Sequence, residues 1–209
     1  GKTSGVVTVD TGVVISGNIA DLTKVFATGS GITTDKNAVT ILGTVSAKDA
    51  NAIAKETDGV VTATVAADTA AKLSTALVDA KVTDVLNLTV NGAKANAGDL
   101  DDLLTKTTGK ITVTAKEISG NLADIKEVLV TSADKFTGLD KVAVKISGTV
   151  ASPGSLADLD AILAATSGIV TATVASGTAA DLVDALENAK ATDALKLEVT
   201  GTPTAADLL

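Results

Sequence analysis

Few residues of this chain could do chemistry, and they do not gather into a known pattern. Asp10-Thr11-Gly12 matches the catalytic triplet of aspartic proteases, but it stands alone in an unrelated context. Gly1–Gly5 (GKTSG) contains GKT without the glycine-rich loop that must precede it to cradle phosphate. Two acidic stretches, Asp99–Asp102 and Thr33–Asn37 (TTDKN), could offer carboxylate oxygens to calcium. Neither has the D-x-[DN]-x-[DN]-G spacing, and Asp99 and Asp101 fit the first turn of a helix, where its dipole favours negative charge. The remaining candidates are hydroxyl pairs: Thr62/Thr64, Thr112/Thr114 and Thr171/Thr173. A flat array of such hydroxyls could meet ice or carbohydrate. Threonine is also simply a good residue for the wet face of a strand.

The residue types that are missing exclude more than those present suggest. The 209 residues contain no Cys, His, Met, Trp or Tyr, and the sequence has no Arg or Gln either. Thiol nucleophiles, imidazole bases and His/Cys metal sites are thereby removed. Two phenylalanines, Phe26 and Phe136, cannot line a sugar-binding cleft of the kind glycosidases use. A net charge of −8 with Lys as the only cation argues against nucleic acid, and there are no aromatic platforms for bases. No segment reaches the length of a membrane-spanning helix, and no basic-then-apolar leader opens the sequence, so membrane insertion is not expected. The Thr/Gly/Ala/Asp-rich composition and lack of Cys fit an exported bacterial protein.

What positions these residues is a repeat. Residues 46–92 and 155–201 align without a gap and agree at about half their positions. Upstream, ISGNIADL from Ile15 returns as ISGNLADI from Ile118, and AVTILGTVS from Ala38 as AVKISGTVA from Ala143. Eight alternating segments read as strands: Val6–Val9, Ala38–Gly43, Val60–Ala66, Val85–Gly92, Lys110–Lys116, Lys141–Gly148, Ile169–Ala175 and Leu195–Gly201. Period-2 alternation puts Leu86, Leu88 and Val90, and likewise Leu195, Leu197 and Val199, on a buried face. The opposite face carries Thr62, Thr64, Asn87, Thr89, Thr112, Thr114, Lys145, Thr171, Thr173, Lys196 and Glu198, the candidate contact residues.

Between the strands lie helical patterns, Ala70/Leu73/Ala76/Leu77 and Ala179/Leu182/Ala185/Leu186. Ser46, Thr69, Ser155, Thr178 and Thr202 are placed as N-caps, with Pro153 and Pro203 at helix starts. Gly59, Gly109 and Gly168 are placed as left-handed helix C-caps. Ser132–Leu139 and residues 11–37 are the irregular places.

Strands alternating with helices imply an α/β fold with parallel pairing. Because the strands alternate rather than being apolar throughout, helices should cover one face only. The expected architecture is a repeat solenoid of about eight strand–helix units, like a leucine-rich repeat. It would be one continuous array over 1–209, made of two homologous blocks, about 1–109 and 110–209. The alternative is two compact α/β domains with a boundary near Gly109. GKTSG and TPTAADLL read as cuts through repeats, so a fragment of a longer protein is expected.

The motifs SGTAADLVDAL (Ser176–Leu186) and VTGTPTAADL (Val199–Leu208), with the aliphatic-T-x-T-V strands, resemble tandem strand–helix repeats of very large bacterial, cyanobacterial-type exported surface proteins. The resemblance covers essentially the whole chain. It implies an adhesin-like or surface-layer-like role, extracellular or at the cell surface. Such repeats often lie beside haemolysin-type calcium-binding segments, whose G-G-x-G-x-D nonapeptide is absent here.

The expected function is therefore a non-enzymatic structural repeat segment of an adhesin stalk, surface layer or filament. Its partners would be neighbouring repeats or further copies of itself. The alternative is a recognition module for a surface protein or glycan, and a remote alternative is ice binding through the Thr pairs. No cofactor is expected, calcium being the one ion the acidic stretches leave open. Millimolar calcium should leave the thermal unfolding midpoint unchanged; a sharp rise would make the acidic stretches metal sites.

Overall fold

The computed structural model describes residues 5–34, 36–151 and 153–204. Its strands are β1 (Val7–Thr8), β2 (Ile15–Gly17), β3 (Ile32–Thr33), β4 (Val39–Val45), β5 (Val61–Val65), β6 (Val85–Val90), β7 (Lys94–Asn96), β8 (Ile111–Val113), β9 (Glu117–Gly120), β10 (Phe136–Thr137), β11 (Ala143–Val150), β12 (Val170–Val174) and β13 (Ala194–Lys196). The helices are α1 (Ile19–Val25), α2 (Ala47–Glu56), α3 (Ala70–Ala76), α4 (Ala97–Leu104), α5 (Leu122–Lys126), α6 (Pro153–Ala165) and α7 (Ala179–Ala185). The fold is α/β with parallel sheets. Seven of the eight strands read from the sequence have counterparts over their central residues, and the eighth, read over Leu195–Gly201, is a strand only at Ala194–Lys196; the five that alternation did not reveal are two to four residues long. Ser132–Leu139 contains a short 3₁₀ turn and β10, following a π-helical turn at Glu127–Thr131.

The chain divides into two compact units. Unit 1 comprises residues 1–90 and 102–112, and unit 2 comprises residues 91–101 and 113–209. Unit 1 contains the pair β1–β3 and a sheet with the order β2-β4-β5-β6-β8. Unit 2 contains the sheet β7-β9-β11-β12-β13. Parallel partners sit about two dozen residues apart, such as Val39 with Val61, Thr62 with Val85, Val144 with Val170 and Thr171 with Ala194.

The core is aliphatic. Alternate residues of the central strands point inward: Val39, Ile41, Val61, Ala63, Val65, Leu86, Leu88 and Val90 in unit 1, and Ile118, Val144, Ile146, Val170, Ala172 and Val174 in unit 2. The helices add Ala50, Ile53, Leu73 and Leu77, or Ile125, Leu159, Ile162, Leu163 and Leu182. The end strand departs from expectation. Leu195 is half-buried, while Leu197 and Val199 are 45% and 38% exposed, because no strand lies beyond β13 among the described residues.

Parallel neighbours have no hairpin to hold their register, so each crossover needs another device. Here it is a polar staple. The Asp84 carboxylate accepts from the backbone N–H of Val61 and of Lys81, both at 2.8 Å. The Lys81 ammonium donates back to the carbonyls of Ala54 (3.0 Å) and Thr57 (2.6 Å), where α2 ends. The buried Thr57 hydroxyl donates to the carbonyl of Asn37, and Gly59 N–H donates to the same hydroxyl. Unit 2 repeats the arrangement with Asp193, Lys190, Thr166 and Gly168. Thr107 and Gly109 form a third hydroxyl staple, on Leu86.

This corrects the role assigned to the glycines. Gly59, Gly109 and Gly168 do not have positive φ. They are needed because the neighbouring segment's backbone passes too close. An added Cβ would lie 2.2 Å from Asn37 O, 2.3 Å from Leu86 O and 2.1 Å from Val142 O, respectively. Positive φ is found instead at Gly43 and Gly148, where the ladders of β4 and β11 shift register by a bulge.

The caps are mixed. Ser46 and Thr178 accept from the N–H groups of Asp49 and Asp181. Thr69 sits at the N-cap position of α3 without a side-chain cap bond. Ser155 lies inside α6, which starts earlier at Pro153, whose fixed φ suits a first turn. The helix expected after Thr202 falls on residues 205–209, outside the described residues.

Asp84→Ala should lower stability by roughly 3 kcal/mol, because it strands a buried N–H. Gly109→Ala should cost a similar amount, roughly 3 kcal/mol, through forced displacement of backbone. Chemical denaturation of both variants checks this; wild-type midpoints would show that the staple does not hold the ladder.

Candidate functional site

The staples take up the buried polar residues Thr57, Asp84, Thr107 and Thr166, which leaves the wet face of the sheets as the surface that could meet a ligand. The candidate contact residues lie off the core. Asn87, Thr64, Thr114, Lys145, Lys196 and Glu198 are exposed, and Thr62, Thr89, Thr112, Thr171 and Thr173 are half-buried. Thr62 and Thr64 are on β5, Asn87 and Thr89 on β6, Thr112 on β8, Lys145 on β11, Thr171 and Thr173 on β12, and Lys196 on β13. Thr114 and Glu198 lie just beyond strand ends.

Register decides which of them are neighbours. In unit 1, Ser16, Thr40, Thr62 and Val85 form one row across β2, β4, β5 and β6. Thr44, Thr64 and Asn87 form a second. Each row therefore brings two threonines side by side and is then interrupted, by Val85 or Asn87. The bulge at Gly43 further displaces Leu42, which is 56% exposed, into the surface between the rows. A flat repeating hydroxyl lattice is not formed here.

Unit 2 has the more varied face. Asn96, Ser119, Lys145, Thr171 and Ala194 run across all five strands in one row. Beside it, Lys94 and Glu117 are register partners and an ion pair at 2.9 Å. Thr149, Thr173 and Lys196 form the next row past the bulge at Gly148. Lys94, Asn96, Glu117, Ser119, Lys145 and Ser147 surround an open concavity of about 290 Å³. This patch concentrates two cations, a carboxylate, an amide and two hydroxyls on the short strands β7 and β9 and the longer β11 beside them. Sequence reading found only Lys145 among them, because β7 and β9 are too short for alternation to register. The returning ISGN at Ile15 and Ile118 was the available signal, since it places Ser119 where Ser16 stands on β2.

The acidic stretches divide. Asp99 is in the first turn of α4, as expected, and Asp101 follows within the helix. Asp35 of the Thr33–Asn37 stretch and most of GKTSG lie outside the described residues. Asn37 is buried and donates through Nδ2 to the carbonyls of Asp10 and Val13, which ties down the DTG turn. Asp10 itself is exposed, with Gly12 at φ 90° closing the turn. Among the described residues no group of three or more carboxylates could hold a metal ion.

The two larger concavities, of about 550 and 600 Å³, do not single out a site either. One is lined by Ser46, Ala67, Asp68 and Ala71, the other by Ala151, Ser176, Gly177 and Asp181. Both open where one helix begins beside the next, at positions that correspond in the aligned sequence stretches, so neither is unique to one unit.

No family model, no curated protein and no solved structure matches the chain.

Asp68, at the edge of the first groove, carries a displaced proton equilibrium. The N–H of Thr69 donates to its carboxylate at 2.8 Å, and Lys72 pairs with it at 3.2 Å. The backbone bond first, and the lysine second, hold its pKa below the ordinary 3.8. Stability from this group is therefore complete above the ordinary aspartate range and is lost as pH falls through the lower folded value. The melting-temperature advantage of wild type over Asp68→Asn should shrink on acidification below that range. An advantage constant down to the lowest pH would show that the carboxylate is not the source.

Proposed function

We propose that this chain is a structural repeat segment of an extracellular or cell-surface bacterial protein, of the adhesin-stalk, surface-layer or filament kind. Within each unit the strand–helix elements wind as an open solenoid, strands laddered on one side and helices packed behind them. One observation carries this reading: every registered strand pair is parallel, joining residues about two dozen positions apart, with the same staple repeated at corresponding positions. Such an arrangement gives length and surface rather than an enclosed pocket. The role is mechanical and interfacial, not catalytic, in keeping with a sequence that lacks His, Cys and Arg and has a net charge of −8. The acidic surface keeps a largely aliphatic chain soluble.

A second reading has its own support. The row from Asn96 to Thr171, with the Lys94–Glu117 pair beside it, is the kind of polar cluster with which a solenoid recognises a glycan or protein.

Two experiments separate these readings. Antibodies raised against the purified chain should label intact cells of the source organism; labelling only after permeabilisation would overturn the surface assignment. A screen of the chain against immobilised glycans and surface proteins should give no saturable binding. Saturable binding that Lys145→Ala weakens tenfold or more would move the function to recognition.

A further inference from the structure

We propose that Asn91 is a site of spontaneous covalent modification: the backbone nitrogen of Gly92 attacks the Asn91 side-chain amide, ammonia leaves, and water opens the resulting succinimide to aspartate or isoaspartate. The inference does not depend on what the chain builds or binds. It rests on the one Asn-Gly pair in the sequence and on how the fold leaves it.

The attack requires a nitrogen free to lose its proton and a side chain free to swing over it. It also requires backbone not held in a helix or strand, and no side chain on the following residue to block the approach. Asn91 and Gly92 lie between β6 and β7, in neither helix nor strand, and both are exposed. Among the described residues the Gly92 N–H donates to no carbonyl, and the Asn91 amide has no hydrogen-bond partner. Glycine, without a Cβ, leaves the approach to its nitrogen open.

The other seven asparagines meet these conditions less well. They precede Ala, Ile or Leu. Each also has its side chain in a hydrogen bond. Asn18, Asn96 and Asn121 accept from N–H groups at the start of a helix. Asn51 and Asn188 donate to an aspartate, and Asn37 and Asn87 bond to backbone. Asp58-Gly59 could close the same ring, but there the Gly59 N–H donates to the Thr57 hydroxyl at 3.0 Å. The bend itself does not demand asparagine. In the aligned stretch its place is taken by Thr200, and Gly92 and Gly201 both have positive φ, 111° and 87°. The glycine makes the bend, and the residue before it is not fixed by it.

The reaction balances with water as the only co-reactant. Hydroxide takes the Gly92 N–H proton, and the nitrogen electron pair forms a bond to Asn91 Cγ. The Cγ–Nδ2 bond breaks, and the departing nitrogen takes a proton from water and leaves as ammonia. Water then adds to either succinimide carbonyl. Cleavage of the new N–Cγ bond gives aspartate. Cleavage of the original peptide bond gives isoaspartate, which routes the main chain through Cβ and Cγ and lengthens it by a carbon just ahead of β7. Either product adds a carboxylate to the segment that leads to Lys94 and Asn96.

The test incubates the folded full chain in mildly alkaline buffer, below its unfolding temperature, with peptide mapping by mass spectrometry and labelling by isoaspartyl methyltransferase. The peptide containing Asn91 should gain the mass of an amide-to-acid exchange and split into two products. The rate should rise in proportion to hydroxide, while the other seven asparagines stay amidated. Asn91→Thr, the residue of the aligned stretch, should lose the methyl labelling, with thermal unfolding confirming that the variant is folded. An Asn91 that reacts in the urea-unfolded chain but stays intact in the folded one would overturn the proposal, by showing that the fold protects it. Methyl labelling undiminished in Asn91→Thr would overturn it too, by placing the reactive residue elsewhere.

Discussion

The fold depends on carboxylate and hydroxyl groups that grip backbone across a crossover. Parallel strands two dozen residues apart gain nothing from local turns, and the loop-closure entropy must be met by contacts between distant segments. Asp84 and Asp193 do this by accepting from strand N–H groups that would otherwise be buried without partners. Lys81 and Lys190 then neutralise the last carbonyls of α2 and α6, where the helix dipole is negative. Two charged residues three positions apart, each bonded to backbone, thus fix the start of a strand and the end of a helix together.

The staple also explains the composition of the interior. Neighbouring backbones approach so closely at Gly59, Gly109 and Gly168 that no side chain fits between them. The core itself is built of Ala, Val, Leu and Ile, and Phe136 is the one aromatic side chain fully inside it among the described residues. Thr57, Thr107 and Thr166 are buried because their hydroxyls donate to a passing carbonyl while their methyl groups remain among aliphatic neighbours.

The sequence made the longer elements legible and the junctions obscure. Alternation over Val85–Val90 and Val170–Val174 fixed both strand and inward face, because period 2 is unambiguous over five or six residues. It failed for Lys94–Asn96 and Glu117–Gly120, and with them went most of the polar patch on unit 2. The glycines were placed at the right positions for the wrong reason: a Thr-x-Gly before a strand looks like a helix cap, and only the neighbouring carbonyl reveals a close approach. Leu197 and Val199 were read as buried because alternation reports which face a residue occupies, while burial also requires a neighbouring strand. Asp84 shows locally only a turn, accepting from Lys81 N–H three positions earlier; what makes it span a crossover is an N–H 23 positions away.

One substitution pattern shows which contacts the two blocks preserve. In unit 1, Asn51 on α2 donates its amide to the Asp79 carboxylate and accepts from the Asp79 N–H, at 2.8 and 2.7 Å. In unit 2 the types are exchanged. Asp160 on α6 accepts from the Asn188 amide and from its N–H, at 2.7 and 2.8 Å. Either order keeps one carboxylate, one amide and one captured backbone N–H; two acids would repel, and two amides would lose the charge-assisted bond. On the wet strand faces no such reciprocity holds. Asn87 becomes Lys196 while its registered neighbour stays a threonine, Thr64 or Thr173. The two stretches therefore keep this helix-side contact and the threonines of β5 and β12, while Asn87 gives way to Lys196 on the next strand.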